Sequence, residues 1–136
     1  MPTEYFPSLE NAEVIQVEFL TLQEEVHSYK LLVDSGFTGS SSLILGTDAA
    51  ALVRAEIPAT QTSGALQGEQ NRGWVTCRVP SLNFQCTLIA IIADLAPLSL
   101  PPDVQGMAGL SFLRHFARSG AEQGEDGWRF FLSDKS

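Results

Sequence analysis

The chain has 136 residues, of which 44% are hydrophobic and 18% charged, and it carries a formal net charge of −8. This length and composition predict one globular domain over residues 1–136 and exclude a disordered tail. The acidic balance and the scattered basic residues argue against nucleic acid and against an anionic membrane surface, since both require clustered Lys and Arg.

The first residues, MPTEYFPSLENAE, lack the basic region and apolar core of a signal peptide. No apolar run approaches the ~20 residues that span a bilayer. A soluble, cytoplasmic protein is the expectation. Residues 13–20, EVIQVEFL, nearly alternate and predict a strand. TLQEEVHSYK is polar and predicts the turn of a hairpin, and LLVDS predicts a second strand, buried on both faces. A third, short strand is expected over 42–45. Thr47 is a suitable N-cap and Asp48 suits a first turn, so a short helix is expected over 48–54, limited by Pro58.

Polar and β-branched residues then lead into a Gly-rich tip, SGALQG, from which a longer strand departs. A turn at PSLN joins that strand to FQCTLIAII, the most apolar strand of the chain. A loop with three prolines follows, ADLAPLSLPPDVQG. Leu110, Leu113 and Phe116 predict a helix over 110–117, with Gly120 as its stop. The acidic stretch SGAEQGEDG reads as a tail after that helix, and GWRFFL closes the chain as a strand. Six to eight short strands with one or two short helices predict a mainly β, barrel-like fold.

Cys77 and Cys86 have no further ligands at metal spacing. If the hairpin turns at PSLN, they lie opposite each other on its apolar face, as buried free thiols. His27 and His115 stand alone.

The chemistry concentrates at Asp34. Apolar residues deliver this carboxylate to the end of a strand, and Gly36 and Gly39 permit tight turns just beyond it. Ser35 and Thr38 add hydroxyls. Carboxylates are rarely buried unless hydrogen-bonded, so Asp34 is a candidate general acid or base. The competing reading is an Asp that organises its own turn. Other motifs fail: GLSFL lacks the second glycine of a nucleophile elbow, and GFTGSSS lacks the Lys of a phosphate loop.

LLVDSGFTGSSSLIL resembles the active-site segment of the retropepsin-like aspartic proteases, in the form seen in a bacterial group of small single-domain members. GMAGLSFLRHF is similar to the apolar-apolar-Gly segment and helix near the end of such domains, with Gly109 as the motif glycine. SGALQG lies where that family has its flap. The resemblance covers about 13–132. Ser35 stands where Thr is usual, Ala108 where a larger aliphatic residue is common, and the flap has no aromatic tip.

This resemblance implies a closed retropepsin-like, all-β barrel and an aspartic endopeptidase. Two carboxylates sharing one proton would activate water, with no cofactor and no metal. The chain has one Asp-Ser-Gly, so the resemblance implies a homodimer that pairs Asp34 with its symmetry mate. Asp34 is then catalytic, supported by Ser35, Gly36, Thr38 and Gly109. The flap residues Ser63, Gly64, Ala65, Leu66, Gln67 and Gly68, together with Phe37, would bind a peptide or protein substrate. The alternative is a catalytically inactive binding or dimerisation module on the same fold.

Overall fold

The computed structural model describes residues 2–62 and 66–134. Strand makes up 55% and helix 12%, so the chain is mainly β. The strands are β1 (Thr3–Pro7), β2 (Val14–Leu20), β3 (Val26–Val33), β4 (Leu43–Leu45), β5 (Ala55–Thr62), β6 (Gly68–Val79), β7 (Phe84–Ile92), β8 (Gly106–Ala108), β9 (Arg118–Gly124) and β10 (Gly127–Ser133), with one α-helical turn, α1 (Leu110–Leu113). No described helix is long and apolar enough to cross a membrane.

Six strands close into a barrel in the order β2-β3-β8-β4-β7-β6. Closure comes from β6 returning to β2 through Glu18↔Arg78, Phe19↔Cys77 and Leu20↔Thr76. The Arg78 guanidinium donates to the Glu18 carboxylate at 2.7 Å on this seam. β3–β8 and β4–β7 are parallel pairs. β5 lies outside the ring and is held by β6 alone. A second sheet, β1-β10-β9, packs Phe6, Phe130 and Leu132 into the same core.

The core follows the strand alternation. Val17, Phe19, Leu31, Leu43, Leu45, Val75 and Phe112 are fully buried. Each such side chain contributes roughly 1.5–3 kcal/mol through removal from water. All three residues of β4 are buried because its two faces meet different clusters: Leu43 and Leu45 enter the barrel, and Ile44 packs outside it with Ile91 and Met107. The two cysteines are direct partners across β6 and β7, as the PSLN turn predicted, and both are free. Cys77 is buried, but Cys86 is only partly so.

Four local expectations are corrected. Only residues 21–25 form the first turn, where the Thr21 hydroxyl accepts the N–H groups of Gln23 and Glu25. β3 already begins at Val26, and its first three residues are exposed. Polar side chains suit a strand end that the ladder to β2 holds without burial. The expected helix at 48–54 is instead a 3-10 helix, Thr47–Leu52, with Gly46 rather than Thr47 at the N-cap. Its buried residues, Ala49 and Leu52, are three apart, which matches the 3-10 repeat.

The helix expected over 110–117 stops at Leu113, because the chain must join β10 by Ala117, whose N–H donates to the Ser133 carbonyl at 3.0 Å; Phe112 and Phe116 both pack on Phe84. Gly120 does not end a helix, and the acidic stretch is no tail. It forms β9, where Gly120 pairs with Phe131 and a hairpin turn at Gly127, φ 113°, returns the chain into β10. β1 was not anticipated at all. Its short sequence carries one buried residue, Phe6, as its anchor, and the strand exists because β10 supplies a ladder for it.

Candidate active site

The site begins with parallel pairing. Leu31, Leu32 and Val33 on β3 match Gly106, Met107 and Ala108 on β8. The ladder runs one step further, with the Asp34 N–H donating to the Ala108 carbonyl at 2.9 Å. Asp34 therefore leaves the sheet beside Gly109. The chain turns at once: the Phe37 N–H donates to the Asp34 carbonyl at 3.1 Å, and the Gly36 N–H donates to Asp34 Oδ1 at 2.9 Å. That second bond orients the carboxylate. It is also the bond by which an Asp organises its own turn. The two readings of Asp34 therefore share this contact.

The Asp34 loop and the Gly109 segment are tied on both sides. Leu110 N–H donates to the Phe37 carbonyl at 3.0 Å, and Gly109 N–H donates to the Ser42 carbonyl at 2.9 Å. The Ser42 and Ser111 hydroxyls meet at 2.7 Å. This crossing explains the glycine, because a side chain at 109 would collide with Phe37. Ala108 is fully buried against the barrel core.

A groove of about 610 Å³ opens beside the carboxylate, lined by Asp34, Gly36, Phe37 and Thr38 on one side and by Gln61, Thr62 and Leu66 of the β5–β6 arm on the other. Ile44, Ile91, Leu98 and Met107 form an apolar floor. Of the expected flap residues, Ser63, Gly64 and Ala65 lie outside the described residues. Leu66 is buried against that floor. The Thr62 hydroxyl donates to the Leu66 carbonyl at 2.7 Å and pinches the arm near its tip. Gln67 is exposed, and Gly68 opens β6 with φ 92°, so the glycine serves a left-handed turn there.

Asp34 also borders a second groove, of about 690 Å³, with Leu9, Glu13, Leu32, Pro101 and Trp128. Trp128 is 58% exposed, an unusual state for an indole. Ser35 is exposed and faces a separate hollow beside Glu13, Leu110 and Arg114. The geometry thus brings together Asp34, Gly36, Phe37, Thr38, Leu66 and Gly109, and turns Ser35 away from the substrate-sized groove. Among the described residues no group of three His, Cys, Asp or Glu side chains is placed to hold a metal ion.

The floor of the groove was missed in sequence. Its signal was the unbroken apolar run of β4, which leaves no polar face and so demands a second apolar environment outside the barrel. Trp128 stood out in sequence only as an apolar residue of the closing strand, expected to be covered in a dimer; its place beside Asp34 depends on how the two sheets pack. No family profile, curated protein or solved structure matches the chain.

Proposed function

We propose that the chain is an aspartic endopeptidase of retropepsin type, acting as a homodimer on peptide or protein substrates. The observation that carries this reading is Asp34 itself. Its carboxylate is oriented by the Gly36 N–H and borders a groove with an apolar floor that the β5–β6 arm flanks. One carboxylate can take a proton from water but cannot also polarise the peptide carbonyl as an acid. The complete reaction needs a second carboxyl sharing the proton, and in this chain a second copy of Asp34 supplies it.

In that assembly the ionised Asp34 accepts a proton from water while the protonated one donates to the carbonyl oxygen of the scissile bond. The tetrahedral intermediate then collapses, and the leaving nitrogen takes a proton from the pair. Ser35, exposed and directed away from the groove, is free to meet the partner's loop. Phe37 and the floor residues take an apolar side chain of the substrate, and the β5–β6 arm offers main-chain hydrogen bonds to an extended peptide.

In this reading the terminal strand contributes a side chain and not a strand edge. β10 is already paired on both sides, by β1 and β9, so it cannot add a partner's strand. Its contribution is the exposed Trp128 side chain beside Asp34. The test is cleavage of a peptide library between pH 3 and pH 8 with Asp34→Asn as control. Loss of all cleavage in that variant is expected. Equal cleavage by both proteins overturns the assignment, and a folded wild type that neither dimerises nor cleaves at any pH favours the binding-module reading.

A further inference from the structure

The loop that follows Asp34 is fixed at its two ends. Phe37 is held by Asp34 and Leu110, and Ser42 by Ile89 and Gly109. Between them lie Thr38, Gly39, Ser40 and Ser41, with Gly39 at φ 110°. Among the described residues a single group hydrogen-bonds to this segment: Arg72 Nη1 donates to the Ser40 hydroxyl at 3.2 Å. Arg72 lies on β6, in the arm that flanks the groove from the other side.

The same guanidinium makes a second bond. The register of β5 against β6 slips between Ile57 and Thr60, so Pro58 and Ala59 together oppose Asn71. Pro58 has no N–H to give, and at this bulge its carbonyl leaves the ladder. Arg72 Nε donates to that carbonyl at 3.0 Å. A planar guanidinium can serve two acceptors in fixed directions at once, and an ammonium cannot reproduce that fork.

We propose that Arg72 is a positioning residue that straps the β5–β6 arm to the loop carrying Asp34 and so sets the width of the groove. The strap is charge-assisted at both ends, and it joins two elements that no strand ladder connects. Its consequence for peptide hydrolysis rests on the function proposed above; its consequence for the loop does not.

Backbone ¹⁵N relaxation on the full chain tests the strap directly. In the wild type, order parameters for the exposed residues 38–40 are expected near those of rigid backbone, about 0.8, and in Arg72→Ala they fall below about 0.6; the buried Ser41 stays rigid in both. β2 and β3 stay unchanged. Ser40→Ala, which removes the loop contact alone, loosens 38–40 and leaves β5 as it was. Arg72→Lys restores at most one of the two segments. Segment 38–40 remaining rigid in Ser40→Ala overturns the proposal, and this variant decides the matter if Arg72→Ala does not fold. On a cleaved peptide, Ser40→Ala raises KM severalfold with kcat within twofold, because the arm holds the peptide and Asp34 performs the chemistry. If the wild type cleaves nothing, the protease reading fails while relaxation still judges the strap.

Discussion

Gly109 and Phe37 touch so closely that no other residue fits at 109: a Cβ there would lie 2.5 Å from the Phe37 ring and 2.6 Å from its carbonyl oxygen. The Leu110 N–H bonds to that same carbonyl, so the Phe37 backbone cannot retreat without breaking the tie between the two loops. Gly109→Ala is therefore expected to destabilise the protein by about 1–3 kcal/mol, the range for overpacking a well-filled site. Urea unfolding monitored by circular dichroism checks this. The loop shift also displaces Asp34, so cleavage falls by more than the unfolded fraction accounts for.

Asp34→Asn separates chemistry from structure. The amide oxygen can still accept the Gly36 N–H, and the Asp34 N–H still reaches Ala108, so unfolding is expected to stay within about 1 kcal/mol of wild type. Peptide cleavage is expected to drop by at least ~10²-fold, the lower range for loss of a general acid or base. The mechanism proposed above requires one proton shared between the two carboxyls. A wild-type rate that rises steadily above pH 8 contradicts a shared-proton mechanism.

Trp128 tests the proposed dimer. An indole 58% exposed beside the proposed catalytic carboxylate is a candidate anchor for a second copy. Trp128→Ala is expected to weaken self-association at least ~30-fold, which corresponds to an interface hot spot of about 2 kcal/mol. The monomer stays folded, because Phe130 and Leu132 on the same strand provide the burial. Sedimentation equilibrium measures the first effect and thermal unfolding the second. Unchanged association in this variant places the interface elsewhere.

The mainly β fold was legible in sequence because period-two alternation is a local signal: β2 and β7 of the barrel and β10 of the second sheet each announce a buried face within a few residues. Asp34 stood out because a carboxylate follows an apolar run, whereas Gly109 entered only through the resemblance; the structure sets the two segments side by side, with the Asp34 N–H on the Ala108 carbonyl. What escaped was imposed from outside the segment. β1 and β9 have little burial of their own and exist because β10 offers them a ladder on each side. The short α1 ends early because the chain must join β10 within a few residues: the Ala117 N–H donates to the Ser133 carbonyl at 3.0 Å and Arg118 pairs with Ser133. Arg72 looked like an ordinary strand residue until the bulge at Pro58 and the turn at Ser40 came within its reach.

The cysteine pair yields a prediction with a definite sign. Burial, with the neighbouring Cys86 second, pushes the Cys77 thiol up to about 12 from an ordinary value of 9.0. The fold therefore favours the neutral thiol, and the unfolded chain ionises first. This favourable contribution is complete below about pH 9 and is lost progressively as pH rises from about 9 toward about 12. The full loss is on the order of 4 kcal/mol, at ~1.4 kcal/mol per unit. Cys77→Ala should flatten the alkaline limb of the stability curve, at the cost of a small cavity against Phe19 and its neighbours. Cys77→Ser should not restore the limb, since a buried hydroxyl brings its own desolvation cost without a titration at these pH values. The same neutrality governs reactivity. Thiolate is the nucleophile, so in the folded protein iodoacetamide at pH 8 should modify the partly exposed Cys86 well before the buried Cys77. Mass spectrometry of tryptic peptides distinguishes the two sites. Cys77 reacting as fast as Cys86 below the unfolding transition would show that this part of the barrel opens far more readily than its packing implies.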